Sequence, residues 1–102
     1  MICITQLIYI KPGMEAVFNE FENAAIPIIA KYNGRMLCRI RPSAESFIEL
    51  TIGQPYEIHL VEFNSQYDFE NFMIDETRKQ FLHLKEQSIR SSIIYKGENY
   101  GI

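Results

Sequence analysis

Apolar residues recur at three- and four-residue steps from Met14 to Gly34: Met14, Val17, Phe18, Phe21, Ala24, Ala25, Ile28, Ile29 and Tyr32. Glu15, Asn19, Glu20, Glu22 and Asn23 fall largely off that stripe, so the pattern predicts an amphipathic helix with a solvated polar face. At about 1.5 Å per residue it spans roughly 28 Å. Pro12-Gly13 turns the chain into it, and Asn33-Gly34 closes it with residues that tolerate a left-handed cap. Pro27 lies inside the stripe. Its ring removes a donor and crowds the Asn23 carbonyl, so a kink or short break is expected there.

Elsewhere the period is two. Met1 to Lys11 alternates Ile2, Ile4, Gln6, Ile8 and Ile10 with Cys3, Thr5, Leu7 and Tyr9, a strand with neither side polar enough for water. Arg35 to Arg41 predicts a second strand, with Met36, Cys38 and Ile40 on one side and Arg35, Leu37, Arg39 and Arg41 on the other. Its arginines suit a sheet edge. Pro42 to Gln54 has no clean period and reads as a long connection, with a short strand extension over 47–50. Pro55 to Asn64 is a third strand, Tyr56, Ile58, Leu60 and Glu62 opposing Glu57, His59, Val61 and Phe63, again largely apolar on both sides.

Ser65 and Asp68 have the spacing of a helix start in which hydroxyl and carboxylate satisfy free amides, and Phe69, Phe72 and Met73 give that helix its buried side. A further helical piece is predicted from Asp75 to Ser88, with Phe81, Leu84 and Ile89 inward and Arg78, Lys79, Lys85 and Glu86 in solvent. Arg90 to Lys96 forms the last strand, and 98–102 is a short tail that frays or reaches a partner chain. The order βαββαβ is an α+β split arrangement, one antiparallel sheet with helices on one face, in a single domain over 1–102. Its two central strands are apolar on both faces, and burying the second face gains roughly 25 cal/mol per Å². A second copy packed sheet to sheet about a two-fold axis is the expected cover, giving a homodimer.

Composition narrows the partners. A net charge of -3 and a pI near 5.3 disfavour nucleic acid, which needs a basic surface. No stretch is long and apolar enough to span a membrane and no leader is visible, so a cytoplasmic protein is expected. Cys3 and Cys38 lack metal-ligand spacing and read as reduced core thiols. No metal constellation or phosphate loop is present, so no cofactor is expected.

His59 is the first candidate for chemistry, because an imidazole within a buried strand can hold or move a proton near neutrality. A histidine bonded to a neighbour in the core would occupy the same position without any ligand. Arg39 and Arg41 share a strand face and could clamp a carboxylate or phenolate, or simply solvate an edge. Glu49 and Glu57 flank the long connection and offer these arginines an ordinary ion pair. Tyr9 and Tyr32 are candidates for lining a pocket between helix and sheet, though aromatics at core spacing also just fill space. His83, near Arg78 and Lys79, reads as part of a solvated helix face.

IYIKPGMEAVFNEFE, KYNGR leading into a strand, and EIHLVEFNSQYDFENFM resemble the dimeric α+β barrel superfamily of ferredoxin-like proteins, which includes small antibiotic-biosynthesis-type monooxygenases. AIPIIAKYNGRML is similar to a group of small proteins of undetermined function within it. The resemblance covers nearly the whole chain, and its motifs are turn and packing signals. Enzyme members commonly carry a tryptophan near the end of the third strand and a His-Phe pair after the next helix. Here Phe63 and Arg78-Lys79-Gln80-Phe81 stand in those regions, so no catalytic residue carries over. The resemblance implies a cofactor-independent monooxygenase- or isomerase-like enzyme with a small-molecule cleft between helix and sheet. A non-catalytic ligand-binding module and a purely structural dimer are the alternatives.

Overall fold

The computed structural model describes residues 1–98; the expected tail beyond Glu98 lies outside the described residues. Four antiparallel strands form one sheet in the order β2-β3-β1-β4, comprising β1 (Ile2–Ile10), β2 (Gly34–Ile40), β3 (Glu57–Phe63) and β4 (Ile89–Glu98). The helices are α1 (Glu15–Ile29), α2 (Gln66–Met73), α3 (Glu76–Lys79) and α4 (Leu82–Ser88). This is the expected α+β class, with β1 and β3 in the middle of the sheet.

α1 presses Phe18, Phe21, Ala25, Ile28 and Ile29 into the core, as its stripe predicts. The helix runs through Pro27 without a break and tightens into a 3₁₀ turn only at Ala30–Tyr32. Asn33 then takes the left-handed conformation, φ 58°. Ser65 caps α2, its hydroxyl accepting from the Asp68 amide at 3.1 Å and donating to the Asp68 carboxylate at 2.9 Å. The helix expected over 75–88 is two short ones, α3 and α4, separated at Gln80-Phe81. The connection 42–54 holds a 3₁₀ turn at Ala44–Ser46 and no strand extension; Ile48 and Leu50 stand in solvent.

Strand register assigns the faces, because residues paired across a ladder project to the same side. Ile4, Gln6 and Ile8 pair with Val61, His59 and Glu57, and these face the helices. Thr5 and Leu7 pair with Leu60 and Ile58 on the far face. β2 joins with an irregularity between Met36 and Cys38: Met36 pairs with Val61, Cys38 with Leu60 and Arg39 with His59. Leu37 is the extra residue of a bulge, and it overturns the expected alternation. Gly34 and Met36 share the helix face with Arg39, while Cys38 and Ile40 turn to the far face. Cys38 is therefore exposed and Cys3 half-buried, both as free thiols, and Cys38 is no core residue.

Gly34 is where the sheet approaches the end of α1 most closely. A Cβ there would lie 2.6 Å from Ile29 Cγ2 and 2.7 Å from a ring carbon of Phe63, which is fully buried. Gly34→Ala should destabilise the chain by about 1–3 kcal/mol through overpacking, measured as a lower urea midpoint with an unchanged slope.

Candidate functional site

Glu57 opens β3 and is almost completely buried, 1% exposed. Its two oxygens are shared among three donors: Arg39 Nε at 2.8 Å and His59 Nε2 at 2.5 Å on Oε2, and Arg41 Nε at 2.9 Å on Oε1. Arg41 also reaches Asn19 on α1 at 2.6 Å and lies over the Tyr56 ring. Burial alone would raise the Glu57 pKa, but the hydrogen bonds from Arg39, His59 and Arg41 outweigh it and hold the carboxyl below its usual value. An ionised carboxylate only accepts, so His59 carries its proton on Nε2 and its lone pair on Nδ1. Burial keeps the imidazole below its ordinary pKa against the opposing pull of Glu57, which favours the neutral ring.

His59 also lines a partly open cavity of about 80 Å³ between the helices and the sheet. Most of the wall is apolar, contributed by Ile4, Ile29, Met36, Phe69 and Phe72 among others. The polar groups in it are Gln6 from β1, His59 from β3, Glu22 from α1, Arg78 from α3 and Lys85 from α4. Phe21 and Ile29 line this space without filling it, and Phe18 packs elsewhere, edge-on against Tyr56. It lies between α1 and the sheet.

Three of these polar residues run against expectation: Lys85, expected in solvent, is half-buried in the lining, and Glu22 and Arg78 are buried outright. Glu22 sits on the nominally polar side of α1 yet is 6% exposed, because α4 packs against α1 and closes over it. Its pKa is raised from 4.5 to about 7, chiefly by burial; the neighbouring Glu57 adds to this, while Arg39, Arg78 and Lys85 oppose it. Arg78, expected in solvent, is 7% exposed. Its Nη1 donates to the Met73 carbonyl at 3.1 Å, its guanidinium covers the Phe72 ring, and its buried Nε–H has no partner among the described residues. Such an orphan costs about 1–3 kcal/mol.

The other candidates lie apart from the cavity. Arg39 and Arg41 are engaged by Glu57, while Glu49 makes no ion pair with them among the described residues. Tyr9 projects to the far face, where its hydroxyl donates to the Gly53 carbonyl at 2.7 Å and its ring lies under Arg90. The Tyr32 hydroxyl donates to Asp75, which also accepts from the Arg78 amide at 2.7 Å and so caps α3. His83 is exposed. Among the described residues no group of three or more His, Cys, Asp or Glu could hold a metal ion, and no helix is long and apolar enough to cross a membrane.

An antiparallel sheet in the order 2-3-1-4 with helices on one face and a polar-studded cavity beneath them defines a ferredoxin-like α+β protein. Solved structures of the same fold confirm the architecture. A protein of unknown function from Rhodopseudomonas palustris matches with a TM-score of 0.79 at 12% identity, over 99% of this chain and 83% of that one. An uncharacterized NIPSNAP domain protein from Burkholderia xenovorans matches at 0.71 and 10% identity, over 97% and 94%. A dimeric protein of unknown function with a ferredoxin-like fold, from Bacteroides fragilis, matches at 0.67 and 12% identity, over 96% and 95%. At these identities the likeness is one of fold. No family model and no curated protein matches the chain.

The Glu22 carboxyl gives folding a definite pH slope. A carboxyl with a folded pKa above its unfolded one binds its proton more tightly in the folded chain, so stability is full at low pH and falls as the pH rises from 4.5 through about 7. Glu22→Gln removes that slope. Between about pH 4 and pH 8 wild type should lose about 3 kcal/mol relative to the variant, read from urea unfolding at each pH.

Proposed function

We propose that this protein is a cofactor-independent enzyme that moves a proton on a small organic molecule held in the cleft between α1 and the sheet. The observation that carries the reading is the convergence of His59 and Glu22 on one largely apolar cavity. One is a neutral imidazole held by a buried carboxylate, and the other is a carboxyl titrating near 7. A neutral imidazole and a carboxyl titrating near 7, set together among apolar walls, suit general acid–base work.

In this mechanism the substrate is a carbon acid or phenol activated by a neighbouring carbonyl. His59 Nδ1 accepts the proton, the electron pair stays on the substrate as an enolate or phenolate, and Glu57 stabilises the imidazolium through Nε2. Glu22, whose acid form persists to about pH 7, returns a proton at a different atom, completing an isomerisation. Attack of the same enolate on dioxygen, the oxidant, would instead form a carbon–oxygen bond and, after protonation, a hydroperoxide; loss of a second proton from that carbon then breaks the O–O bond, leaving a carbonyl and water, the monooxygenase-like branch. Glu57, Arg39 and Arg41 act as positioning residues: the arginines hold the carboxylate, and the carboxylate holds the ring.

The working unit is proposed to be a homodimer. The far face of the sheet presents Leu7, Ile40, Ile58, Leu60 and Ile93, of which Ile40 and Ile93 are 47% exposed. Such a contiguous apolar face marks an interface, and a second copy placed sheet to sheet would cover it while leaving the cavity on the helix side untouched. The Bacteroides fragilis protein of similar fold is itself described as dimeric. Two free thiols suit a reducing compartment, so the cytoplasm is proposed as its location.

The proton-transfer reading is tested by incubating the protein in D₂O with a panel of small ketones, 1,3-diketones and 2-oxo acids and following loss of C–H signals by NMR. Exchange should exceed the buffer rate for at least one member, and His59→Ala should lower it by about a hundredfold or more. Panel members that perturb cavity resonances without exchanging would instead favour a binding module. In sedimentation velocity, wild type should run as two chains and Leu60→Lys as one; a wild type that sediments as a single chain at micromolar concentration would remove the dimer.

A further inference from the structure

We infer that the occupant of the cleft is a small carboxylic acid whose carboxylate is held by the Arg78 guanidinium and the Lys85 ammonium. This rests on the reading of the cleft as a small-molecule site and adds the chemical class of what enters it.

Arg78 has donors to spare. Its Nη1 serves the Met73 carbonyl and its face lies on Phe72, but Nε–H is unpartnered and no carboxylate among the described residues forms an ion pair with the guanidinium. Asp75, which lies close by in sequence, accepts instead from the Arg78 backbone amide and the Tyr32 hydroxyl, and pairs with Lys31 at 3.6 Å. Lys85 lines the same cavity, half-buried, and likewise makes no ion pair among the described residues. Two cations thus line one cavity, Arg78 buried and Lys85 half-buried, and among the described residues Glu22 is the only acidic group in the lining. Burial lowers the pKa of both, and each of the two is favoured by the charge of Glu22. Glu22 itself is protonated through much of the neutral range. In that state the wall lacks a compensating negative charge.

A carboxylate supplies it. It carries one charge on two acceptor oxygens, matching a guanidinium and an ammonium. The apolar remainder of the lining takes its carbon body, and a volume of about 80 Å³ admits a short chain and not a fatty acid. A phosphate would leave further charged oxygens against Ile4, Ile29, Val61 and Phe69. The ligand carboxylate also competes with ionised Glu22 for the same cations. Facing Glu22 are Arg39 from β2, Glu57 from β3, Arg78 from α3 and Lys85 from α4, and of these the two cavity cations are the ones a ligand shares. Binding therefore favours protonated Glu22 and weakens as the pH rises through about 7.

The test titrates the full chain with butyrate and with butyramide, which has the same shape and no charge, at about pH 6 and about pH 8, following protein resonances including the arginine Nε–H signals. Butyrate should bind at pH 6 at least tenfold more tightly than butyramide, shift an arginine Nε–H resonance, and weaken several-fold at pH 8. Arg78→Gln and, separately, the more exposed Lys85→Gln should each remove the preference for butyrate while leaving butyramide unchanged. In Glu22→Gln the pH dependence should vanish. Equal binding of the two compounds, no binding of either, or butyrate binding indifferent to both Arg78→Gln and Lys85→Gln would overturn the inference. Because the readout is binding without turnover, its failure leaves the exchange assay for proton transfer standing, and failure of that assay leaves this result readable.

Discussion

Glu57 is the residue around which this molecule is arranged. A carboxylate removed from water on the first residue of a central strand is tolerated only if its charge is met, and here two arginines and an imidazole meet it. That requirement fixes the neighbouring strand. Arg39 and Arg41 can reach Glu57 only because Leu37 bulges out and turns the second half of β2 over. Without the bulge the arginines would point away from the helices and Glu57 would stand buried and unmet. The hydrogen bond to His59 then sets which ring nitrogen holds the proton, so the buried charge cluster and the imidazole that lines the cavity are one network.

The sheet imposes a second constraint. Both central strands are largely apolar on each face, and the helices cover only one of these faces. The helix side is where α1, α2, α3 and α4 meet imperfectly over Gln6, His59 and Val61, and the gap they leave is the cavity. A layer built from one long helix and three short ones cannot close over a twisted sheet as two long helices would. The same shortness of α3 and α4 brings Arg78 and Lys85 inward from positions that a single continuous helix would have kept in solvent.

What the sequence disclosed follows from this. Strand order, the buried stripe of α1 and the inward placement of His59 were legible because period and apolar content report burial directly. Glu22, Arg78 and Lys85 were not, since a helical wheel treats every polar position alike and cannot tell which side a second helix will cover. Glu22 is hidden by α4, an element more than fifty residues away in the chain. The bulge at Leu37 was equally silent: RMLCRIR alternates perfectly well without one, and only the demand of Glu57 for cations selects the shifted register. Tyr9 and Tyr32 were credible pocket residues on aromatic content alone, but each hydroxyl is committed to a partner outside the cavity.

The Tyr32–Asp75 hydrogen bond joins the exit of α1 to the start of α3. Glu22 rides on the first of these elements and Arg78 on the second. A tether at that point fixes the start of α3 against the exit of α1, so the two elements that carry the cavity's acid and its buried guanidinium are bonded to each other away from the sheet.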